Sequence, residues 1–108
     1  MNYKYLADLS SEAAIPVKGI LSQVLQKDDS VNITLFGMAA EEEISSHSAP
    51  TPAIIYFLDG EASVQLGDDT VHAKPGSFVF MPPQLPHAIR AEMPTKMLLV
   101  QIKVPAKA

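Results

Sequence analysis

The chain has 108 residues, of which 47% are hydrophobic and 19% are charged, and its formal charge is −4. This length suits a single domain with one core, and the composition is that of a globular rather than a disordered protein. The acidic balance, with no cluster of Lys and Arg, excludes the attraction that supplies most nucleic-acid affinity and argues against binding to an anionic membrane. Because the chain has no cysteine, disulfides, thiolate metal ligands and a cysteine nucleophile are excluded as well.

The N-terminal segment does not read as a targeting or membrane segment. Residues 1–16 lack the apolar run of a signal peptide, and no part of the sequence reaches the roughly 18 apolar residues of a membrane span. We therefore expect a cytoplasmic protein without a membrane partner. One short helix is predicted at residues 10–14, with Ser10 or Ser11 as its N-cap and Pro16 as its end.

Short apolar runs, each closed by turn residues, follow for the rest of the chain. Alternation of Val31, Ile33 and Leu35 with polar neighbours favours a strand. Short strands separated by turn signals indicate an all-β sandwich or barrel. In chain order, strands are predicted at residues 19–26, 31–39, 53–58, 61–66, 70–74, 78–81 and 96–104.

One loop between two predicted strands is unusually rich in proline. Pro82, Pro83 and Pro86 stand just before His87. Proline fixes its own φ and restricts the residue before it, so this loop is costly to rearrange. The sequence therefore predicts that the His87 imidazole is held in one direction.

Two segments that contain histidine resemble the signature motifs of the cupin family, G-x5-H-x-H-x3,4-E-x6-G and G-x5-P-x-G-x2-H-x3-N. The second motif is matched by Gly76, Pro82 and His87, whereas Gln84 replaces its glycine and Ala91 its asparagine. The resemblance covers residues 31–104. It implies an all-β fold, the double-stranded β-helix or jelly-roll barrel of small RmlC-like cupins.

The first motif is matched at only two of its five defined positions. His47 and Gly60 agree with its first histidine and its last glycine. Ala49 stands where the second histidine belongs, Ala53 where the glutamate belongs, and Glu41 at the opening glycine. Since alanine donates no electrons to a metal, the resemblance implies a depleted metal site.

In cupins, three histidines and one glutamate usually hold a divalent metal inside the barrel. Here His47 and His87 remain, a partial set that would hold Zn, Fe, Ni or Mn only weakly. A carboxylate from residues 41–43 or the amide of Gln84 would be a substitute donor. The ligand pocket that the resemblance implies is lined by His47, His87, Gln84 and Met81.

Three functions are compatible with this partial match. The first is binding of a small polar or anionic molecule in the barrel without obligatory metal. The second is an enzyme of the dioxygenase, isomerase or epimerase type, metal-dependent or with His47 or His87 as general base. The third is a structural or regulatory module. His72, with apolar neighbours on a predicted strand, is expected to face outward and to have no role.

The resemblance also implies one domain over residues 1–108. Residues 1–17 form a lead-in, residues 18–30 provide a strand that small cupins often exchange between subunits, and residues 31–104 form the barrel. The strand at 78–81 is apolar on both faces, with Phe78 and Phe80 on one side and Val79 and Met81 on the other. Such a strand needs two surfaces to bury against, so we expect a homodimer.

Overall fold

Residues 2–103 are described by the computed structural model of the protein. Within this range the chain forms one short helix and nine strands, and no helix has the length and apolar character needed to cross a membrane. In chain order the elements are α1 (Leu9–Glu12), β1 (Ile20–Lys27), β2 (Val31–Met38), β3 (Glu43–His47), β4 (Ala53–Asp59), β5 (Ala62–Leu66), β6 (Asp69–Ala73), β7 (Phe78–Met81), β8 (His87–Ala91) and β9 (Thr95–Ile102).

The strands form two antiparallel sheets. One sheet has the order β1-β2-β9-β4-β7 and the other the order β3-β8-β5-β6. Neighbours in each sheet are mostly distant in sequence, as in a jelly roll. The predicted all-β jelly-roll fold is confirmed.

The core lies between the sheets and follows from the alternation of side chains along each strand. On β4, Ala53, Ile55 and Phe57 are buried while the residues between them are more exposed. Because successive side chains of a strand point to opposite faces, the buried set of each sheet faces the other sheet. The largest fully buried side chains of this core include Phe57, Met38, Ile55, Met81 and Met97.

The N-terminal lead-in covers part of the outer face of the five-stranded sheet. Leu35 points to this outer face, yet it is only 1% exposed. It lines a small cavity together with Ala13 and Ala14 of the lead-in. The approach is close at Gly37, where a Cβ atom would overlap the carbonyl group of Ala14. Glycine at this position therefore lets the lead-in lie against β2.

The strand predictions agree with the structure except at β3 and β8. Residues 43–47 form a strand that was not predicted. Only Ile44 of this strand is even half-buried, so there is no alternation of apolar residues to detect. β8 (His87–Ala91) was not among the predicted strands either. The predicted strand end at Val104 lies outside the described residues.

The helix prediction was wrong in its cap. The N-cap is Asp8, whose carboxylate accepts a hydrogen bond from the backbone N–H of Ser11 at 3.4 Å. α1 ends at Glu12, before Pro16. Asp is as good an N-cap as Ser, and the extended backbone of residue 8 makes it the cap.

β1, the strand expected to exchange between subunits, pairs with β2 of its own chain. The pairing is antiparallel, with a bulge between Val24 and Gln26. The hairpin turn is fixed by Asp28, whose carboxylate accepts hydrogen bonds from the backbone N–H groups of Ser30 and Val31. Exchange of β1 between subunits stays a prediction.

Candidate functional site

The two histidines of the motifs are brought together by β3 and β8. His47 at the end of β3 is the register partner of His87 at the start of β8. The centroids of the two imidazole rings are 4.2 Å apart, and the ring planes are tilted by 58°. A register shift between Ile44 and His47 precedes this pair, so the β3 ladder is irregular just before it.

Each imidazole is fixed by one backbone hydrogen bond. Nδ1 of His47 lies 2.9 Å from the carbonyl oxygen of Ser45, and Nδ1 of His87 lies 2.9 Å from that of Leu85. A carbonyl oxygen only accepts, so both Nδ1 atoms carry the hydrogen. In the neutral imidazole, Nε2 is then an acceptor with a free lone pair.

The proline-rich loop positions His87, and Gln84 contributes to the shape of this loop. Gln84 has a φ of +70°, in the left-handed region that glycine adopts most easily. Its backbone N–H donates to the carbonyl of Ala49 at 2.7 Å, and Gly67 N–H donates to that of Pro86 at 2.8 Å. The residue that replaces the motif's glycine thus keeps the conformation suited to glycine.

A cavity of about 240 Å³ lies beside the two imidazoles, between the sheets. His47 and His87 are its polar residues, and the other lining side chains are apolar. His87 is only 8% exposed, whereas His47 is exposed. The apolar lining consists of Ile20, Phe36, Ile44, Ile55, Ile89, Met97 and Leu99.

Two predicted pocket residues lie elsewhere. Gln84 is exposed on the loop, and Met81 is 2% exposed within the hydrophobic core. Neither lines the cavity. The apolar wall was not predicted residue by residue, although inward positions of alternating strands such as Phe36 and Leu99 carried the signal.

A larger depression of about 660 Å³ lies between the lead-in and the outer face of the first two strands. Tyr3, Lys4 and Leu25 are among its lining residues, and it contains no histidine. The cavity between the sheets is therefore the candidate site, because it holds the fixed imidazole pair.

The donor set does not fit the metal site of the motif. Across residues 2–103, no three side chains of His, Cys, Asp or Glu are grouped so that they could hold a metal ion. The carboxylates at 41–43 do not supply the third ligand, and Ala53, at the glutamate position, is 7% exposed within the core. Catalytic zinc sites typically use three protein ligands, so two imidazoles alone fall short.

His72 faces outward, as predicted. Its side chain is 51% exposed, and its Nε2 lies 2.6 Å from Oε1 of Glu61. Glu92 approaches the other ring nitrogen at 3.5 Å. These are surface contacts, and none of the three residues lines the cavity.

Two facing antiparallel sheets, with paired histidines at a cavity between them, define a jelly-roll barrel of the cupin kind. The Cupin domain family model matches residues 34–102, and the chain belongs to this family. No curated protein matches the sequence.

Solved structures resemble the chain over nearly its whole length. A conserved protein of unknown function from Streptococcus pyogenes is 31% identical, with a TM-score of 0.88 over 98% of this chain and 93% of the other. A cupin superfamily protein from Desulfitobacterium hafniense is 25% identical, with a TM-score of 0.81 over 96% and 94%. The DMSP lyase DddQ from Ruegeria pomeroyi is 26% identical, with a TM-score of 0.73 over 83% of this chain but 50% of the lyase. The family and fold are thus established, while no specific activity follows.

Proposed function

We propose that this cupin binds a small, largely apolar molecule in the cavity between its sheets, without a metal ion. The observation that carries the proposal is the composition of the cavity wall, in which seven apolar side chains surround two imidazoles. Ligand pockets are generally apolar with a few convergent polar groups. From the sequence we expected a polar or anionic ligand. The apolar wall of the cavity instead favours a ligand with a hydrocarbon body.

The size of the cavity supports a molecule somewhat larger than benzene. An apolar cavity of about 150 Å³ is enough to bind benzene, and this cavity measures about 240 Å³. 4-Ethylphenol is a suitable probe because it combines a hydrocarbon body of this size with a single hydroxyl group.

Filling the cavity tests the proposal. Leu99 lines the cavity, whereas its neighbour Leu98 lies on the opposite face of β9. We expect 4-ethylphenol to bind the wild-type protein with a Kd below about 1 mM. Leu99→Phe should weaken binding at least about tenfold, because the added ring atoms occupy ligand space. The matched variant Leu98→Phe should bind like the wild type.

Isothermal titration calorimetry measures these affinities, and thermal unfolding shows whether each variant folds. Equal binding by both variants would place the ligand elsewhere, for example in the depression under the lead-in. Absence of binding to the wild type would refute the proposal for ligands of this class.

A histidine-base enzyme is the second candidate, favoured by the hydrogen bonds at Nδ1. They leave Nε2 of His87 as a lone-pair acceptor beside the cavity, which is what a general base requires. Such a base would take the α-proton of a small ketone and return a deuteron from D₂O. Exchange into phenylacetone that is faster than in buffer, and lost in His87→Gln, would support an enzyme; exchange at the buffer rate would contradict it for this substrate class.

We also propose that the protein is a homodimer in the cytoplasm. A second copy is the partner that we propose for the exposed apolar face of the five-stranded sheet, where Phe78 is 62% and Phe80 54% exposed. Burying such side chains is the main favourable contribution to association.

A further inference from the structure

We infer that the cavity selects a molecule with one neutral hydroxyl group, an alcohol or a phenol, on an otherwise hydrocarbon body, and that this hydroxyl donates to Nε2 of His87. The inference rests on the proposed function and adds the chemistry of the ligand's head group. It follows from which hydrogen-bonding groups the cavity offers and which it lacks.

The cavity offers acceptors rather than donors. Both Nδ1–H groups are used by the carbonyl oxygens of Ser45 and Leu85. The remaining ring nitrogens, the two Nε2 atoms, have no hydrogen-bond partner among the described residues. In neutral imidazoles these atoms accept, so their complement is a ligand group that donates.

The two imidazoles differ in what they need. His47 is exposed, so solvent can donate to its Nε2. His87 is 8% exposed, but its Nε2 is not among the buried polar atoms without a partner in the described residues, so solvent reaches this nitrogen. A ligand that fills the cavity would exclude that solvent, and its head group is then the natural donor. One donor hydrogen on the ligand is therefore enough, and it belongs at His87 rather than at His47.

The apolar wall limits the ligand to one such group. Its seven other residues are Ile, Leu, Met and Phe, whose side chains make no strong hydrogen bonds. Each further polar group on the ligand would lose water without gaining a partner, which lowers affinity roughly five- to 150-fold. Sugars and other polyols are thus disfavoured.

Charged head groups are disfavoured for a related reason. An ammonium group would enter a cavity whose lining contains no carboxylate. A carboxylate would need donors, which the imidazoles supply only after protonation, and two protonated rings with centroids 4.2 Å apart repel each other. A neutral hydroxyl meets neither obstacle.

Four probes with a common ethylphenyl body test the inference at pH 8, where a phenol is still neutral. They are 4-ethylphenol, which donates; 4-ethylanisole, which only accepts; ethylbenzene, which has no head group; and 4-ethylbenzoate, which is anionic. We expect 4-ethylphenol to bind about tenfold tighter than each of the others, since one buried hydrogen bond separates them. Ethylbenzene as tight as 4-ethylphenol, or 4-ethylbenzoate tightest, would overturn the inference.

The variant His87→Leu distinguishes the contribution of the ligand's head group from that of the cavity. In this variant we expect 4-ethylphenol to lose its advantage over ethylbenzene while ethylbenzene still binds. His47→Leu is the matched control and should keep most of the advantage. If ethylbenzene and 4-ethylphenol both bind the wild type and ignore Leu99→Phe, the proposed function has failed. If they respond to Leu99→Phe but His87→Leu keeps the advantage of the phenol, only the present inference has failed.

A measurement on the wild-type protein avoids dependence on the folding of a variant. Long-range ¹H–¹⁵N NMR spectra distinguish a protonated ring nitrogen from an unprotonated one. We expect His87 to be protonated at Nδ1 and not at Nε2, and its Nε2 resonance to shift on addition of 4-ethylphenol but not of ethylbenzene. Protonation at Nε2 of the ligand-free protein, or equal shifts with both probes, would overturn the inference.

Discussion

Gly60 and Gly76 both adopt a positive φ, but only one of them is crowded. Gly60 has a φ of +85°, and a Cβ atom there would overlap the carbonyl oxygen of Pro94 and lie 2.6 Å from Cα of Thr95. Gly76 has a φ of +92°, and no atom lies within 4 Å of the position that a Cβ atom would take there. Both are glycines of the family motifs. Backbone conformation alone explains the glycine at position 76, whereas conformation and crowding together explain the glycine at position 60.

Substitution by alanine should separate backbone strain from crowding. We expect Gly76→Ala to lower the free energy of unfolding by about 1–2 kcal/mol, the cost of a left-handed backbone for an L-residue. Gly60→Ala should cost that amount and about 1–3 kcal/mol more, because Pro94 and Thr95 must move. Urea denaturation measures both values, and equal losses would contradict the crowding.

Asp28 holds the β1–β2 turn through its charge. The hydrogen bond from the side chain of Gln26, followed by those from the backbone of Ser30 and Val31, holds the pKa of Asp28 below its usual value of 3.8. A carboxyl whose pKa is lower in the folded state stabilises the fold above the unfolded pKa, and this contribution is lost as pH falls through the folded pKa.

Replacement of this carboxylate should flatten the acid limb of the stability profile. We expect Asp28→Asn to reduce the loss of stability as pH falls below the usual carboxyl pKa of 3.8, because asparagine does not titrate. Urea denaturation over a series of pH values from about 5 to about 2.5 provides the measurement. Asp29→Asn, one residue along the same turn, is the control, and an unchanged profile in Asp28→Asn would argue against this role.

At the scale of elements, the lead-in decides which part of the outer sheet face is buried. Leu35 on β2 and Leu98 on β9 are register partners on this face. Leu35 is 1% exposed under the lead-in, whereas Leu98 is only half-buried. The lead-in is thus part of the folded domain rather than an appendage.

Truncation of these two leucines should show the contribution of the lead-in. We expect Leu35→Ala to lower the free energy of unfolding by about 2–5 kcal/mol, as for a buried leucine. Leu98→Ala should cost about 1 kcal/mol, because its side chain already meets solvent. Similar losses in urea denaturation would mean that the lead-in does not cover Leu35 in solution.

β3 shows why some elements could not be predicted from the sequence. Its residues 43–47 have no apolar alternation, so no strand was predicted there. What makes them a strand is backbone pairing with β8, whose residues are 40 to 47 positions away in the chain. Because β3 ends at His47, the local geometry of the candidate site was equally hidden.

At the scale of the whole molecule, apolar side chains remain exposed on the outer face of the five-stranded sheet, toward its β4 and β7 end, which the lead-in does not cover. Two rows cross the sheet in register, Leu35–Leu98–Tyr56–Phe78 and Ile33–Val100–Ile54–Phe80. Exposure in the first row rises from 1% at Leu35 to 40% at Tyr56 and 62% at Phe78. Contiguous apolar patches of this kind commonly mark interaction sites.

We expect this face to form the proposed homodimer. The double variant Phe78→Ser, Phe80→Ser should shift the protein to monomer, because it removes the apolar area that association would bury. The control is Tyr3→Ser, Tyr5→Ser, which removes two other exposed aromatic residues at 90% and 76% exposure. Analytical ultracentrifugation gives the mass; a dimer unaffected by the first variant, or a monomeric wild type, would contradict the assignment.

The sequence by itself determined the fold class, most strand positions and the two histidines of the site, because alternation, turn residues and motif spacing are local properties of the chain. It also explained the stiff loop before His87, since proline acts on its own backbone. Only the tertiary structure decided the spacing and tilt of the His47 and His87 rings, that Gln84 and Met81 lie outside the cavity, and which apolar residues form its wall. These features depend on side chains from strands far apart in sequence, whose register and facing sheets no local pattern specifies.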